Sequence, residues 1–271
     1  MLAECKELIL HLDDGVLTIT LNRPQKRNAM NATLVRELMN TFTAIEHDRT
    51  IRAIVLQGSA GNFCAGGDIS GMHQTTDTVE QATKAAWNFN RSFGHLITKA
   101  NNAPQVVVTL LEGAVLGGGF GLACISDIAI ADRAAMFALP ETGLGIIPAQ
   151  IAPFVVQRVG LTQARKLALT GERINGQQAS DIGIAHYVTD SKDAMDEILA
   201  TTLTRIKRCA PQANARTKSL LMKVGQMNLE TLLDEAADEF ATTLSSAEGK
   251  EGTQAFLEKR RPNWADIKES A

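Results

Sequence analysis

Two glycine loops and one acidic residue are the parts of this sequence best suited to chemistry. The loops are FCAGGD (63–68) and LGGGFG (116–121), and the acid is Glu141 in LPETGLG. Each loop follows a short apolar run, and the second opens onto a helical pattern. A glycine cluster costs chain entropy, so it calls for a positive φ or for backbone brought close to a ligand. A helix start also leaves unpaired N–H donors at the positive end of its dipole. Donors from two such loops aimed at one point make an oxyanion hole, which stabilises negative charge growing on a carbonyl oxygen. Tight backbone packing is the competing explanation for either loop alone. Neither loop has the GxxxxGK pattern of a phosphate loop, and the second fits GxGxxG in no register. Glu141 sits among Leu139, Leu144, Ile146 and Ile147. Burial there would raise its pKa toward that of a group able to take and return a proton. Pro-Glu-Thr-Gly is equally a good turn with a capping carboxylate.

The elements that would hold these residues follow βαβ grammar. GVLTITLN (15–22), IRAIVLQGS (51–59), VVVTLLEG (106–113) and DIAIAD (127–132) read as strands. Residues 31–48 carry apolar positions at helical spacing, namely Leu34, Val35, Leu38, Phe42 and Ile45, and helices are also predicted over 78–100 and about 118–124. Strand and helix alternating in this way predict an α/β core with right-handed crossovers. Beyond residue 150 the chain turns helical, with helical periodicity over 192–208, 211–225, 229–246 and 250–258. The division expected is a core over 1–195 and a helical region over 196–271.

Bulk composition narrows the function classes. A chain of 271 residues with 45% apolar and 21% charged residues is ordinary for a globular protein. The net charge of −3 gives no electrostatic reason for a nucleic-acid partner. The basic run RIKRCAPQANARTK (205–218) lacks interleaved aromatics and reads as a solvated helix face. No apolar run reaches the roughly 20 residues of a membrane helix, and no signal or transit peptide is evident, so a cytoplasmic protein is expected. Cys5, Cys64, Cys124 and Cys209 are scattered, with no CxxC pair and no histidine at metal-ligand spacing, so no metal site is expected. Cys64 and Cys124 read as packing residues.

The segments NFCAGGDISGM, GAVLGGGFGLACISDIAIAD, FALPETGLGIIP and ALTGERINGQQASDIGIAHYV, in that order, resemble the crotonase superfamily of enoyl-CoA hydratases and isomerases. LNRPQKRNAMN near the N-terminus and FLEKRRPNW near the C-terminus are similar to that family too, so the likeness covers nearly the whole chain. It implies an α/β fold, a spiral of ββα units followed by a helical trimerisation region, and a homotrimer or dimer of trimers. It also implies an acyl-CoA thioester substrate whose carbonyl oxygen is held by the N–H groups of Gly67 and Gly118. Lys26, Arg27, Ala29, Ala65, Asp68, Ile69, Gly117 and Pro140 would line the path of coenzyme A and the acyl group. Phe256 and Lys259 would reach a coenzyme A bound in a neighbouring subunit. Asp68 could equally cap a helix, and Lys26 and Arg27 fit a solvated surface as well. His73 and Trp87 fall in the segment that shapes the acyl pocket of relatives, without a catalytic assignment.

One departure from the family pattern carries weight. The two-acid hydratases have one glutamate three residues beyond the second-loop glycine and another twenty residues further on. Those positions are Gly121 and Glu141, so the first acid is absent here. The wording around both positions is most similar to the hydratases of 3-methylglutaconyl-CoA and isohexenylglutaconyl-CoA, in leucine and terpenoid breakdown. The activity expected is therefore hydration of a 3-substituted glutaconyl-CoA with Glu141 as acid and base, and no cofactor beyond the coenzyme A of the substrate. Gln150 is the polar candidate for orienting water. The alternative is an enoyl-CoA isomerase in which Glu141 is the sole base.

Overall fold

The computed structural model describes residues 4–68 and 78–265. Its largest sheet begins with a hairpin of β1 (Leu8–Asp13) and β2 (Val16–Leu21). Asp14 and Gly15, both at positive φ (42° and 72°), form the two-residue link that suits the twist of a hairpin. The strand predicted over 15–22 is β2, whereas β1 was not foreseen. The reason is visible in its burial: only Leu8 of β1 is buried, so this edge strand shows no clean alternation.

From β2 onward the sheet is parallel, through β3 (Ala53–Gly58), β4 (Val106–Leu111), then β6 (Ile128–Asp132) and β9 (Tyr187–Thr189), in the order β1-β2-β3-β4-β6-β9. Helices cover both faces, which is why the central strands read as continuous apolar runs. A second layer contains β5 (Ala114–Leu116), β7 (Met136–Ala138) and β8 (Ile174–Asn175), with β5 parallel to β7. Isolated bridges Cys64↔Val115 and Met30↔Gly67 extend this layer. A strand of the large sheet, a short strand of the small layer and then a helix recur along the chain. This is the expected spiral of ββα units.

Helix α1 (Ala32–Ile45) starts where Asn31 Oδ1 accepts the Leu34 N–H at 2.9 Å, and the five apolar positions named for it are all buried. Helix α2 (Val79–Asn101) packs along α1 and buries Phe93, Leu96 and Ile97. Helix α3 (Gly118–Ile125) is buried from Gly119 to Ile125, apolar on every side because it runs through the core. Helix α4 (Ala152–Thr170) and the short α5 (Gly176–Asp181) close the core. Phe120 and Phe137 meet edge to face at 6.3 Å between ring centroids, locking α3 to β7.

Helix α6 (Lys192–Arg208) packs on the opposite face of the large sheet, where Met195 and Ile206 join Val55, Val108 and Ile130. Residue 195 therefore lies inside a helix that belongs to the sheet's packing, and the helical extension proper is α7 (Pro211–Met222), α8 (Leu229–Ser245) and α9 (Ala247–Leu257). The basic run at 205–218 is engaged within the chain: Lys207 pairs with Asp14 at 2.5 Å, Lys218 with Asp127 at 2.7 Å, and Arg216 with Glu239. Among the described residues, no helix is long and apolar enough to cross a membrane, and no group of three or more His, Cys, Asp or Glu side chains could hold a metal.

Cys64 and Cys124 are buried thiols and Cys209 is an exposed one. Burial pushes the Cys64 and Cys124 thiols up to about 12. Alkylation of the native protein at pH 8 should therefore label Cys209 first and leave Cys64 and Cys124 unmodified until denaturant is added. Peptide mass mapping checks this, and early labelling of Cys64 would contradict it.

Candidate active site

Loop one reaches its position through hydrogen bonds on both sides. The Cys64 N–H donates to Ala114 O (2.8 Å) and the Leu116 N–H to Cys64 O (2.9 Å), so the loop runs alongside β5. On the other side, the Met30 N–H donates to Gly66 O (2.7 Å) and the Asp68 N–H to Met30 O (2.9 Å). That parallel bridge uses the groups flanking Gly67 and leaves the N–H of Gly67 itself directed away from Met30. Gly66, at φ +97°, passes over Leu116, where a side-chain carbon would come within 3.3 Å of the carbonyl oxygen.

Loop two is pinned at Gly117, whose N–H donates to Ala138 O at 3.1 Å. Gly117 adopts φ 49° and ψ −115°, a conformation glycine tolerates, and serves as the N-cap of α3. The first bond of that helix runs from the Gly121 N–H to Gly117 O (3.0 Å). Gly118 precedes it and so has no acceptor within its own helix. Gly67 and Gly118 border the same cavity, of about 780 Å³ with its open mouth included. Its remaining walls are largely apolar, among them Met30, Phe89, Phe93, Leu144 and Ile147.

Glu141 enters from the turn that follows β7. The turn is fastened to α4 by Thr142 Oγ1, which donates to Ala168 O at 2.8 Å. Glu141 Oε1 lies so near Gly117 that a side-chain carbon there would stand 2.7 Å from it. Oε2 is buried without a hydrogen-bond partner among the described residues. Burial pushes the Glu141 carboxyl above its ordinary range, opposed only in part by a backbone N–H bond. The arrangement is a carboxyl in a cavity that both glycine loops border, and it suits proton transfer next to a carbonyl.

Several sequence candidates come together here. Ala65, Gly67, Gly117, Gly118, Pro140, Glu141 and Gln150 all line the cavity. Lys26 and Arg27 are exposed on a turn after β2, and Arg27 O accepts the Ala65 N–H at 2.9 Å, which ties that turn to loop one. Ala29 is buried, and its carbonyl accepts from Arg23 Nη1. Asp68 does not line the cavity; its carboxylate pairs with Arg23 Nη2 at 2.9 Å and stabilises the base of loop one. Phe256 and Lys259 are exposed at the end of α9 and do not line this chain's own cavity. Trp87 is exposed on α2, while Ile69 and His73 lie outside the described residues.

Sequence reasoning missed Arg23 and Asn28, which brace the site from below. Asn28, fully buried at φ 57°, donates from Nδ2 to Ser59 O (3.0 Å) and Asn62 O (2.6 Å), and its Oδ1 accepts the Arg23 N–H (2.9 Å). It missed Asn90 and Ile151 as well. Ile151 explains Gly121: a side-chain carbon at 121 would overlap Ile151 Cγ2 and come within 3.1 Å of Ile97 Cδ1. The position of the absent acid is filled by hydrocarbon.

The chain matches the enoyl-CoA hydratase/isomerase family over residues 11–268. It belongs to that family. Its fold resembles that of Pseudomonas aeruginosa AtuE, with 52% identity and a TM-score of 0.92 over 96% of this chain and 100% of the other. Among characterised relatives, the 2,3-dehydroadipyl-CoA hydratase of Escherichia coli is 33% identical over 95% of this chain and 98% of its own length. The 1,2-epoxyphenylacetyl-CoA isomerase of the same organism is 32% identical, covering 95% and 97%. This enoyl-CoA hydratase/isomerase family member is an enzyme, and its fold is the crotonase fold with C-terminal helices.

Two outcomes follow from the raised Glu141 carboxyl. Replacing Glu141 by Gln should lower turnover about 10²–10⁴-fold, the range for losing a general acid or base. The same change should raise stability at neutral pH. A carboxyl whose folded pKa lies above its unfolded value binds its proton more tightly when folded, so its contribution is full below about pH 4 and lost as pH rises through the folded pKa. Melting curves should then show Glu141→Gln above wild type at pH 7–8, with the gap closing toward pH 4; a gap independent of pH would refute this account. Gly121→Ala should cost about 1–3 kcal/mol through overpacking against Ile151, read from urea denaturation.

Proposed function

We propose that this enzyme hydrates the double bond of a 3-substituted glutaconyl-CoA, either 3-methylglutaconyl-CoA or isohexenylglutaconyl-CoA, using Glu141 as both base and acid. The observation that carries the reading is one half-buried carboxyl among the described residues of a cavity bordered by two glycine loops, with the second acid position filled by Ile151. On this reading Gly67 and Gly118 form an oxyanion hole. Glu141 accepts a proton from water while the hydroxyl adds to C3, and the electron pair of the double bond moves onto the thioester oxygen as an enolate. The two N–H groups bind that enolate more strongly than the ground-state carbonyl, which lowers the barrier. Glu141 then returns the same proton to C2, so one water is added and the carboxyl is restored. The relative named for 2,3-dehydroadipyl-CoA, itself a dicarboxylic acyl thioester, supports a substrate of this class.

Coenzyme A arrives with the substrate, and no resident metal or redox cofactor is assigned. Lys26 and Arg27 would meet its phosphates, with Ala29, Ala65, Asp68 and Ile69 along its path, and Phe256 and Lys259 would contribute from a neighbouring subunit. That assignment needs a trimer or a dimer of trimers. Leu229, Leu233, Phe240 and Leu244 are exposed on α8, and Phe256 and Leu257 on α9, which is apolar surface of the kind assembly would bury. A cytoplasmic location is consistent with the buried free thiols.

A second reading, isomerisation with Glu141 as the sole base, is favoured by the single acid and by the relative named as an isomerase. The products distinguish the two. Incubation with 3-methylglutaconyl-CoA, isohexenylglutaconyl-CoA and crotonyl-CoA should give a gain of one water on a glutaconyl thioester, faster than on crotonyl-CoA and lost in Glu141→Gln. A moved double bond with no mass gain would establish the isomerase instead. Equal turnover of crotonyl-CoA would remove the case for a dicarboxylic substrate.

A further inference from the structure

Among the described residues lining the cavity, three have polar side chains: Glu141, Asn90 and Gln150. The last two form a pair, with Gln150 Nε2 donating to Asn90 Oδ1 at 2.9 Å. Behind them stands Arg91, whose Nη1 donates to Gln150 Oε1 at 3.4 Å. Both Arg91 and Gln150 lie over Gly94 of α2. A side-chain carbon at 94 would come within 2.6 Å of Arg91 Nη1 and 2.7 Å of Gln150 Cδ, so glycine is what lets the two groups meet at the cavity wall.

Arg91 is half-buried and, among the described residues, makes no ion pair. Its contact to Gln150 is a long one to a neutral acceptor, weaker than a guanidinium makes with a carboxylate. Arg91 thus stands one hydrogen bond behind the cavity wall, with no carboxylate within ion-pair distance among the described residues. Asn90 and Gln150 add amide N–H donors at the same spot. The donor set is that of a carboxylate receptor, with Arg91 as its charge and the two amides as its walls.

We infer that Arg91, Asn90 and Gln150 form a subsite for the free carboxylate of the acyl group, and that Arg91 sets the preference for a dicarboxylic over a simple acyl thioester. The inference rests on the dicarboxylic reading above. Arg91 does not take part in proton transfer; it is a specificity residue.

Binding separates this inference from the reaction assigned above, since it needs no turnover. Calorimetric titration would compare glutaryl-CoA with pentanoyl-CoA, saturated thioesters of equal chain length with and without the distal carboxylate. Wild type should bind glutaryl-CoA about 10–100-fold more tightly, the range for a charge-assisted hydrogen bond. Arg91→Gln should abolish that preference while leaving the Kd for pentanoyl-CoA within about twofold, and Arg91→Lys should restore part of it. No preference in wild type, or equal weakening of both ligands in Arg91→Gln, would overturn the subsite and leave Arg91 as a prop for Gln150. A preserved preference for glutaryl-CoA with no water added to any glutaconyl thioester would uphold the subsite and overturn the hydratase reading alone.

Discussion

The site depends on the contact between two loops that only glycine permits. Gly119 of α3 sits against Cys64, where a side-chain carbon would be 2.7 Å from both Cys64 Cβ and its carbonyl oxygen. One residue earlier, Gly118 faces Met30 and the ring of Phe93, and Gly117 faces the Glu141 carboxylate. Any side chain along this run would push loop two away from loop one or from the acid. The close approach allows Gly67 and Gly118 to border one cavity, because the bridges at Cys64 and Met30 fix loop one while Gly117 fixes loop two on Ala138. Residues that lack side chains thus determine where the backbone donors stand.

Holding such a junction requires support from outside it. Arg23, buried between Glu7 and Asp68, and Asn28, bonded to two carbonyls of the segment entering loop one, provide that support. A buried arginine is tolerable only because carboxylates and a carbonyl receive it; removing one such partner commonly costs about 3–5 kcal/mol. Asp68 belongs to this frame. On the far side, the burial of α3 and the Phe120–Phe137 contact keep Gly118 from moving relative to β7, and hence relative to Glu141. Stability and the geometry of the site share the same residues.

What the sequence made legible divides along physical lines. The glycine runs, Glu141 and the core strands were readable because each leaves a strong local trace: chain entropy spent without a turn to justify it, a lone acid among hydrocarbons, an uninterrupted apolar run. The edge strand β1 and the two- and three-residue strands β5, β7 and β8 leave none, since they are too short for alternation to register. Helix α6 was read correctly as a helix but divided by the expected boundary, because periodicity reveals an apolar face and not what that face meets. Asn90, Arg91 and Ile151 escaped for a similar reason. Asn90 and Arg91 lie far along the chain from Ile151, and their meaning arises only where α2 passes the segment before α4.

Ile151 shows how a missing acid becomes part of a consistent design. A glutamate at 121 would have to displace its branched side chain, so the absence at one position and the hydrocarbon at the other, thirty residues on, form one feature. Hydration needs a proton removed from water and a proton delivered to carbon, and two acids can divide that work. One carboxyl can do both if water and C2 lie on its face of the substrate, since the proton it takes is the proton it gives. Such a group must be willing to hold the proton between the two events, and a carboxyl in water is too weak a base for that. Burial beside Gly117, with Oε2 lacking a partner among the described residues, moves Glu141 in the direction that the proposed hydration requires. The same burial destabilises the ionised form, so folding alone would not favour a carboxyl at this position.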